Sequence, residues 1–169
     1  TDARGLIFRH LPETEYGRGA SRSNKGEAKA VAAAVMQHAQ ANPTLSLGVA
    51  AFSQAQRDAI EMEIELLRRT HSNCEEFFQA GSAEPFFVKN LENVQGDERD
   101  VILISIGYGK TKEGYLAMNF GPLNRDGGER RLTRRRRQQL TVVVSRELFA
   151  VAEPLVAALQ NFEYALGRK

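Results

Sequence analysis

The segment Asn90-Leu91-Glu92-Asn93-Val94-Gln95-Gly96-Asp97-Glu98-Arg99-Asp100 lies between two apolar runs and collects groups suited to phosphate chemistry. Asn90 is a capping residue, and the turn it caps would present free N–H groups to an anion. Gln95 carries both a donor and an acceptor, Gly96 permits a tight turn, and Glu98 supplies a carboxylate just before the next strand. The competing reading is a polar loop that only solvates a strand connection. A second concentration of chemistry is the run Arg130 to Arg137, which holds six arginines. Guanidinium is planar and permanently charged, so such a run either engages phosphate or forms a solvated helix face. A third is Phe52-Ser53-Gln54-Ala55-Gln56-Arg57. There Phe52 either stacks on a base or closes the core, and Gln56 either reaches phosphate or stabilises a helix start. Arg57 either meets nucleotide or nucleic acid, or is a solvated helix residue.

The elements that must position these groups are legible from periodicity. Gly5 to His10 reads as a strand, and Leu11 to Lys25 as a polar loop. Asn24 with Glu27 three residues on forms a capping-box pattern before a helix in which Ala28, Val31, Ala32, Val35 and Met36 recur on one face. Asn42-Pro43 ends that helix. Leu45 to Phe52 is a buried strand, and Ser53 caps a helix through Ile60, Ile64 and Leu67. Phe86-Phe87-Val88 and Val101 to Ile106 read as further strands, the latter stopped at Gly107-Tyr108-Gly109. Arg130 to Gln139 has a helix-compatible composition, Thr141 to Val144 is a short β-rich run, and residues 150–169 form a terminal helix. Short apolar strands separated by helices predict an α/β fold, a mainly parallel sheet with helices on both faces, in one domain spanning 1–169.

Composition narrows the class without naming a partner. The chain has 169 residues, 42% hydrophobic and 26% charged, with 23 Lys and Arg against 21 Asp and Glu for a formal charge of +2. That is an ordinary globular composition, enough for one core. A single cysteine, Cys74, excludes an internal disulfide framework and fits a reducing, cytoplasmic setting. No apolar run approaches the roughly 20 residues that cross a bilayer, so no membrane association is expected. The opening Thr1-Asp2-Ala3-Arg4 has neither a start methionine nor a signal-like stretch, as expected of a piece of a larger protein. His10, His38, His71 and Cys74 lack metal-ligand spacing, so no metal site is expected, and Ser53, Ser105 and Ser145 define no triad.

The Asn90 to Asp100 segment resembles motif V of superfamily 1 helicases. That motif has a strand, a Thr-Val-Asp-like start, two variable residues, Gln-Gly, then Glu-Arg or Glu-Lys and Asp. Gln95, Gly96, Glu98, Arg99 and Asp100 match directly, Asn90 stands where the threonine usually lies, and Glu92 at the acidic place. Ser46 to Arg57 resembles motif IV, and Gly127-Gly128-Glu129-Arg130-Arg131-Leu132 with Thr133-Arg134-Arg135-Arg136 resembles motif VI. The phrases Phe87 to Asp100 and Met118 to Leu132 are similar to a bacterial group of large superfamily 1 helicase-like proteins, some with a following nuclease-like domain. The resemblance covers roughly Gly5 to Val144, and more weakly the terminal helix.

The resemblance implies a RecA-like P-loop NTPase fold lacking its own P-loop, the second motor domain of an ATP-dependent helicase or translocase. It implies that Asn90 and Asn93 meet the nucleic-acid backbone. Gln95, Gly96 and Glu98 would face the nucleotide side or couple it to the strand, and Gln56 and Arg57 belong to the same cofactor-binding set. Arg134 takes the place of the arginine that reaches the γ-phosphate across the cleft, with Arg131 and Arg136 as alternatives. About four residues that the family carries between the Leu and the Thr are missing between Leu132 and Thr133, a change worth roughly 400° of helical direction and about 6 Å of length. No Gly-x-x-x-x-Gly-Lys-Ser/Thr loop occurs. ATP and Mg would be held mainly by a first motor domain, and the isolated chain would bind ATP weakly and hydrolyse it negligibly. Single-stranded DNA or RNA is the implied partner. The alternative is a catalytically degenerate helicase-like domain that binds nucleic acid or acts as a scaffold, motivated by the shortened arginine segment.

Overall fold

The computed structural model describes residues 5–19, 21–79, 81, 83–94, 97–115 and 136–144. Strands β1 (Gly5–His10), β2 (Leu47–Ala51), β3 (Phe87–Asn90), β4 (Arg99–Ser105) and β5 (Arg136–Val144) form one five-stranded sheet in the order β1-β5-β4-β2-β3. Every pairing is parallel. Helix α1 (Lys25–Ala41) connects β1 to β2, and α2 (Gln54–Arg68) connects β2 to β3, with a short α3 (Glu75–Phe78) on the way.

Helix α1 forms where its apolar spacing predicts. Ala28, Val31, Ala32 and Val35 are buried against Ile60 and Ile64 of α2 and against Leu47, Val49, Ala51, Val101 and Leu103 of the sheet. A fully buried Val, Leu or Ile contributes roughly 1.5–3 kcal/mol of transfer free energy, so this layer dominates the core. Ala50, Ile102 and Ile104, on the alternate face of the same strands, are also buried. Both faces of β2 and β4 are therefore covered, which explains why these strands read as continuous apolar runs. Near the start of β3, Phe78 packs edge to face on both Phe77 and Phe86 with ring centroids 5.3 Å apart, and Phe77 and Phe86 meet at a tilt with centroids 6.1 Å apart.

One expectation is corrected. Arg136 to Gln139 lies in β5 rather than in a helix, with Arg136 partnered by Arg99 of β4 and Gln139 by Val101 of β4 and Gly5 of β1. Arg and Gln favour helices only by tenths of a kcal/mol, and ladder pairing with β4 outweighs that preference. The strand thus begins five residues before the β-rich run at Thr141. Arg131, Arg134 and the terminal helix at 150–169 lie outside the described residues, as do Gln95 and Gly96.

Gly48 faces the ring of Phe87 so closely that a Cβ added there would overlap it. Gly48→Ala is expected to lower the urea-unfolding free energy by about 1–3 kcal/mol through overpacking. An unchanged midpoint would contradict this account of the β2–β3 contact.

Candidate functional site

In a parallel sheet the loops that bind ligands leave the carboxyl ends of the strands. Register places Ala51, Asn90 and Ser105 side by side at that edge. The starts of α1 and α2 arrive at the same edge, since each follows a strand that ends there.

Beneath this edge lies a buried polar network. Asn24 caps α1, its Oδ1 accepting from the Glu27 N–H at 2.9 Å. In a complete capping box Glu27 would return the bond to the Asn24 N–H. Here the Gln56 Oε1 accepts from that N–H instead, at 2.8 Å. The Glu27 carboxyl is thereby released to cross the interior, where its Oε1 accepts from the Ser105 hydroxyl at 2.6 Å and the Gly107 N–H at 2.8 Å. The Gln56 Nε2 completes the ring, donating to the Asn24 carbonyl at 3.2 Å and to the Ser105 Oγ at 3.1 Å. Asn24, Glu27, Gln56 and Ser105 are all fully buried. Gly107 has φ +72°, and a Cβ there would press on the Gln56 side chain at 2.7 Å, so the position requires glycine.

Burial raises the Glu27 pKa to about 7, against smaller lowering contributions from Ser105, Gly107 and the Ile106 amide. Among the described residues its buried Oε2 has no hydrogen-bond partner. No charged group is among the causes of the shift. The carboxyl is thus a desolvated acid held by neutral donors, poised to change charge near neutrality.

The sequence-predicted residues separate around this network. Gln56 is inside it with its amide oxygen and both amide protons used, so of its two readings the geometry displays stabilisation of helix starts. Phe52 is buried in the core rather than exposed for stacking. Arg57, on the first turn of α2, is partly exposed and pairs with Glu61 at 2.9 Å and Asp58 at 3.5 Å. Asn90 caps the 3-10 turn Leu91–Asn93, accepting from the Asn93 N–H at 3.2 Å, while its Nδ2 donates to the Gln54 Oε1 at 3.4 Å. Asn93 is exposed beside it.

Glu98 stands apart from these groups. It precedes Arg99, the first residue of β4, and so lies at the amino edge. Six residue steps along β4 separate Arg99 from Ser105, roughly 20 Å at about 3.3 Å per residue. Asn90 and Glu98 therefore lie at opposite edges of the sheet. Arg99 itself is buried as an anchor, its Nε and Nη2 donating to the Pro85 carbonyl at 3.1 and 2.7 Å, with its guanidinium 4.8 Å from the Phe87 ring centre. Lys89 pairs with Asp97 at 2.7 Å along the same connection.

Glu27, Ser105 and Gly107 were missed by reading the sequence for chemistry. Two signals pointed to them: a capping-box glutamate, and a serine placed in the otherwise apolar run Val101 to Ile106 ahead of Gly107. Among the described residues, no group of three or more His, Cys, Asp and Glu side chains is arranged to hold a metal ion.

Because the Glu27 pKa is raised on folding, its unfavourable contribution appears as pH rises from the ordinary glutamate value through about 7. Below that window the carboxyl is protonated in both states and the cost vanishes. Glu27→Gln, which keeps an acceptor but cannot ionise, is expected to unfold at the same temperature as wild type at about pH 3.5, below the ordinary glutamate value. At pH 8 it should be more stable by up to about 3 kcal/mol. A constant difference across that range would show that Glu27 does not titrate there.

Comparison with known proteins agrees with this architecture. Residues 3–147 match the family model described as AAA domain. A Mycoplasma genitalium protein bearing the name uncharacterized ATP-dependent helicase is 44% identical over 89 residues. A Mycoplasma pneumoniae homologue of that protein is 40% identical over 89 residues. In each case the match covers 52% of this chain and 8% of the relative, so the chain corresponds to a small part of either protein. Among the described residues no helix is long and apolar enough to cross a membrane. With its parallel α/β sheet and a family model covering 3–147, the chain belongs to the AAA domain family, as a RecA-like motor domain of the superfamily 1 helicase type.

Proposed function

We propose that the chain is the second motor domain of a larger ATP-dependent helicase or translocase, contributing motifs IV, V and VI to an interdomain ATP cleft and a nucleic-acid track. One observation carries the reading: the motif-V-like segment leaves the carboxyl end of β3 at Asn90 and returns at the amino end of β4 beside Glu98. A segment that spans the sheet has its two ends available to different ligands. On this reading half-buried Asn90 and exposed Asn93, at the carboxyl edge, contact the backbone of single-stranded DNA or RNA. Gln95, Gly96 and Glu98 couple the nucleotide side to the strand, and Arg57 adds a guanidinium at the start of α2. Gln56 acts from beneath, by holding the helix starts.

Arg57 and the two helix starts, all at the carboxyl edge, suit one wall of a nucleotide site, recognising phosphate without supplying a metal cage, while Glu98 at the amino edge stands outside that wall. ATP and magnesium would be held chiefly by the first motor domain, the bound nucleotide supplying the phosphoryl group that water attacks. Arg134, with Arg131 as the alternative, would stabilise charge on that group as it transfers. The isolated domain is expected to bind ATP weakly and to hydrolyse it negligibly. A single domain over 1–169 with a terminal helix at 150–169, a nuclease-like neighbour and a cytoplasmic setting belong to the same reading. Free Cys74 accords with the last of these.

The direct junction Leu132–Thr133 favours a second reading, a degenerate helicase-like domain that binds nucleic acid without ATP turnover. The full-length protein distinguishes the two. Single-stranded DNA or RNA should stimulate its ATP hydrolysis, and Arg134→Ala should lower kcat about 10³-fold. Strand binding that is indifferent to ATP, with no stimulated hydrolysis, would establish the second reading instead.

A further inference from the structure

Glu27 belongs to none of the helicase-like segments quoted above, yet its buried carboxyl is tied to the loop that leaves β4. Its Oε1 holds the Ser105 hydroxyl and the Gly107 N–H from residues 78 and 80 positions away. The loop it grips continues through Tyr108 and Gly109 to Lys110, whose carbonyl accepts from the Tyr16 N–H at 2.8 Å. The rings of Tyr16 and Tyr108 lie 5.7 Å apart. One carboxyl therefore links the start of α1, the end of β4 and the β1–α1 loop at the ligand-binding edge.

Resting on the motor reading above, we propose that Glu27 is a positioning residue for ATP hydrolysis. Its carboxylate sets the loop 106–110 at the carboxyl edge, through Gly107 and Ser105, without touching nucleotide. The groups facing it are Ser105 from β4, the Ile106 and Gly107 amides after it, and Asn24 and Gln56 from the two helix starts. All are neutral, so the charge on Glu27 is the variable that decides how tightly the two donors are held. Ionised, the carboxylate accepts charge-assisted bonds; protonated, it accepts weaker ones. Since Glu27 titrates at about 7, the grip tightens as pH rises across neutrality.

The test uses the full-length protein with single-stranded DNA, read by kcat and KM for ATP between pH 6 and 8 and by amide exchange in residues 106–110. The wild type should show kcat rising through about pH 7. Glu27→Gln should lose that rise while KM for ATP stays within roughly twofold, because nucleotide contacts are untouched. Ser105→Ala removes a bond that favours the ionised form, so the midpoint of the rise should move to higher pH. Glu27→Ala should lower kcat roughly ten- to hundredfold, as a misplaced loop would, and speed exchange in 106–110. A Glu27→Gln variant that keeps the wild-type pH limb overturns the proposal, as does a Glu27→Ala variant with wild-type exchange in 106–110. A wild type without stimulated hydrolysis overturns the motor reading, and the exchange result then decides separately whether Glu27 holds the loop.

Discussion

Four fully buried polar side chains, Asn24, Glu27, Gln56 and Ser105, meet under the carboxyl edge of the sheet. The geometry of that edge depends on their satisfying one another. Left unpaired, each buried donor or acceptor would cost about 1–3 kcal/mol, so the four act as a set that tolerates few arrangements. The arrangement adopted joins two helix starts to the end of β4. Among the described residues it leaves the Glu27 Oε2 without a hydrogen-bond partner, which is consistent with a carboxyl whose protonation is finely balanced.

The same edge explains the layout of the groups with possible ligand roles. A parallel sheet delivers every strand end on one side, so Asn90, the start of α2 and the loop after β4 become neighbours although they are far apart in sequence. Glu98, at the far end of the connection that leaves Asn90, lies beside Arg99, which is held on the Pro85 carbonyl at the opposite edge of the sheet.

Much of the framework was legible beforehand. The 3.6-residue apolar period marked α1, and the caps Asn24 and Ser53 placed the starts of both long helices correctly. Continuous apolar runs marked β2 and β4 because strands covered on both faces have no polar side to alternate with. The stretch Arg136 to Gln139 was harder, because its composition suits a helix while ladder pairing with β4 makes it a strand. Gln56 and Glu27 were legible as residue types near helix starts. Their partners, 32 to 80 residues distant, were not.

The sequence by itself determined the class of fold, the positions of the helix starts and the resemblance to the helicase family. These depend on local periodicity, capping chemistry and the order of residues in a short stretch. Only the tertiary structure decided that Gln56 faces inward, that Glu27 abandons its capping box for Ser105 and Gly107, and that Asn90 and Glu98 stand at opposite ends of the sheet. Such choices are competitions for hydrogen-bond partners among groups distant in the chain. Their outcome depends on which donors and acceptors folding brings together in the dry interior.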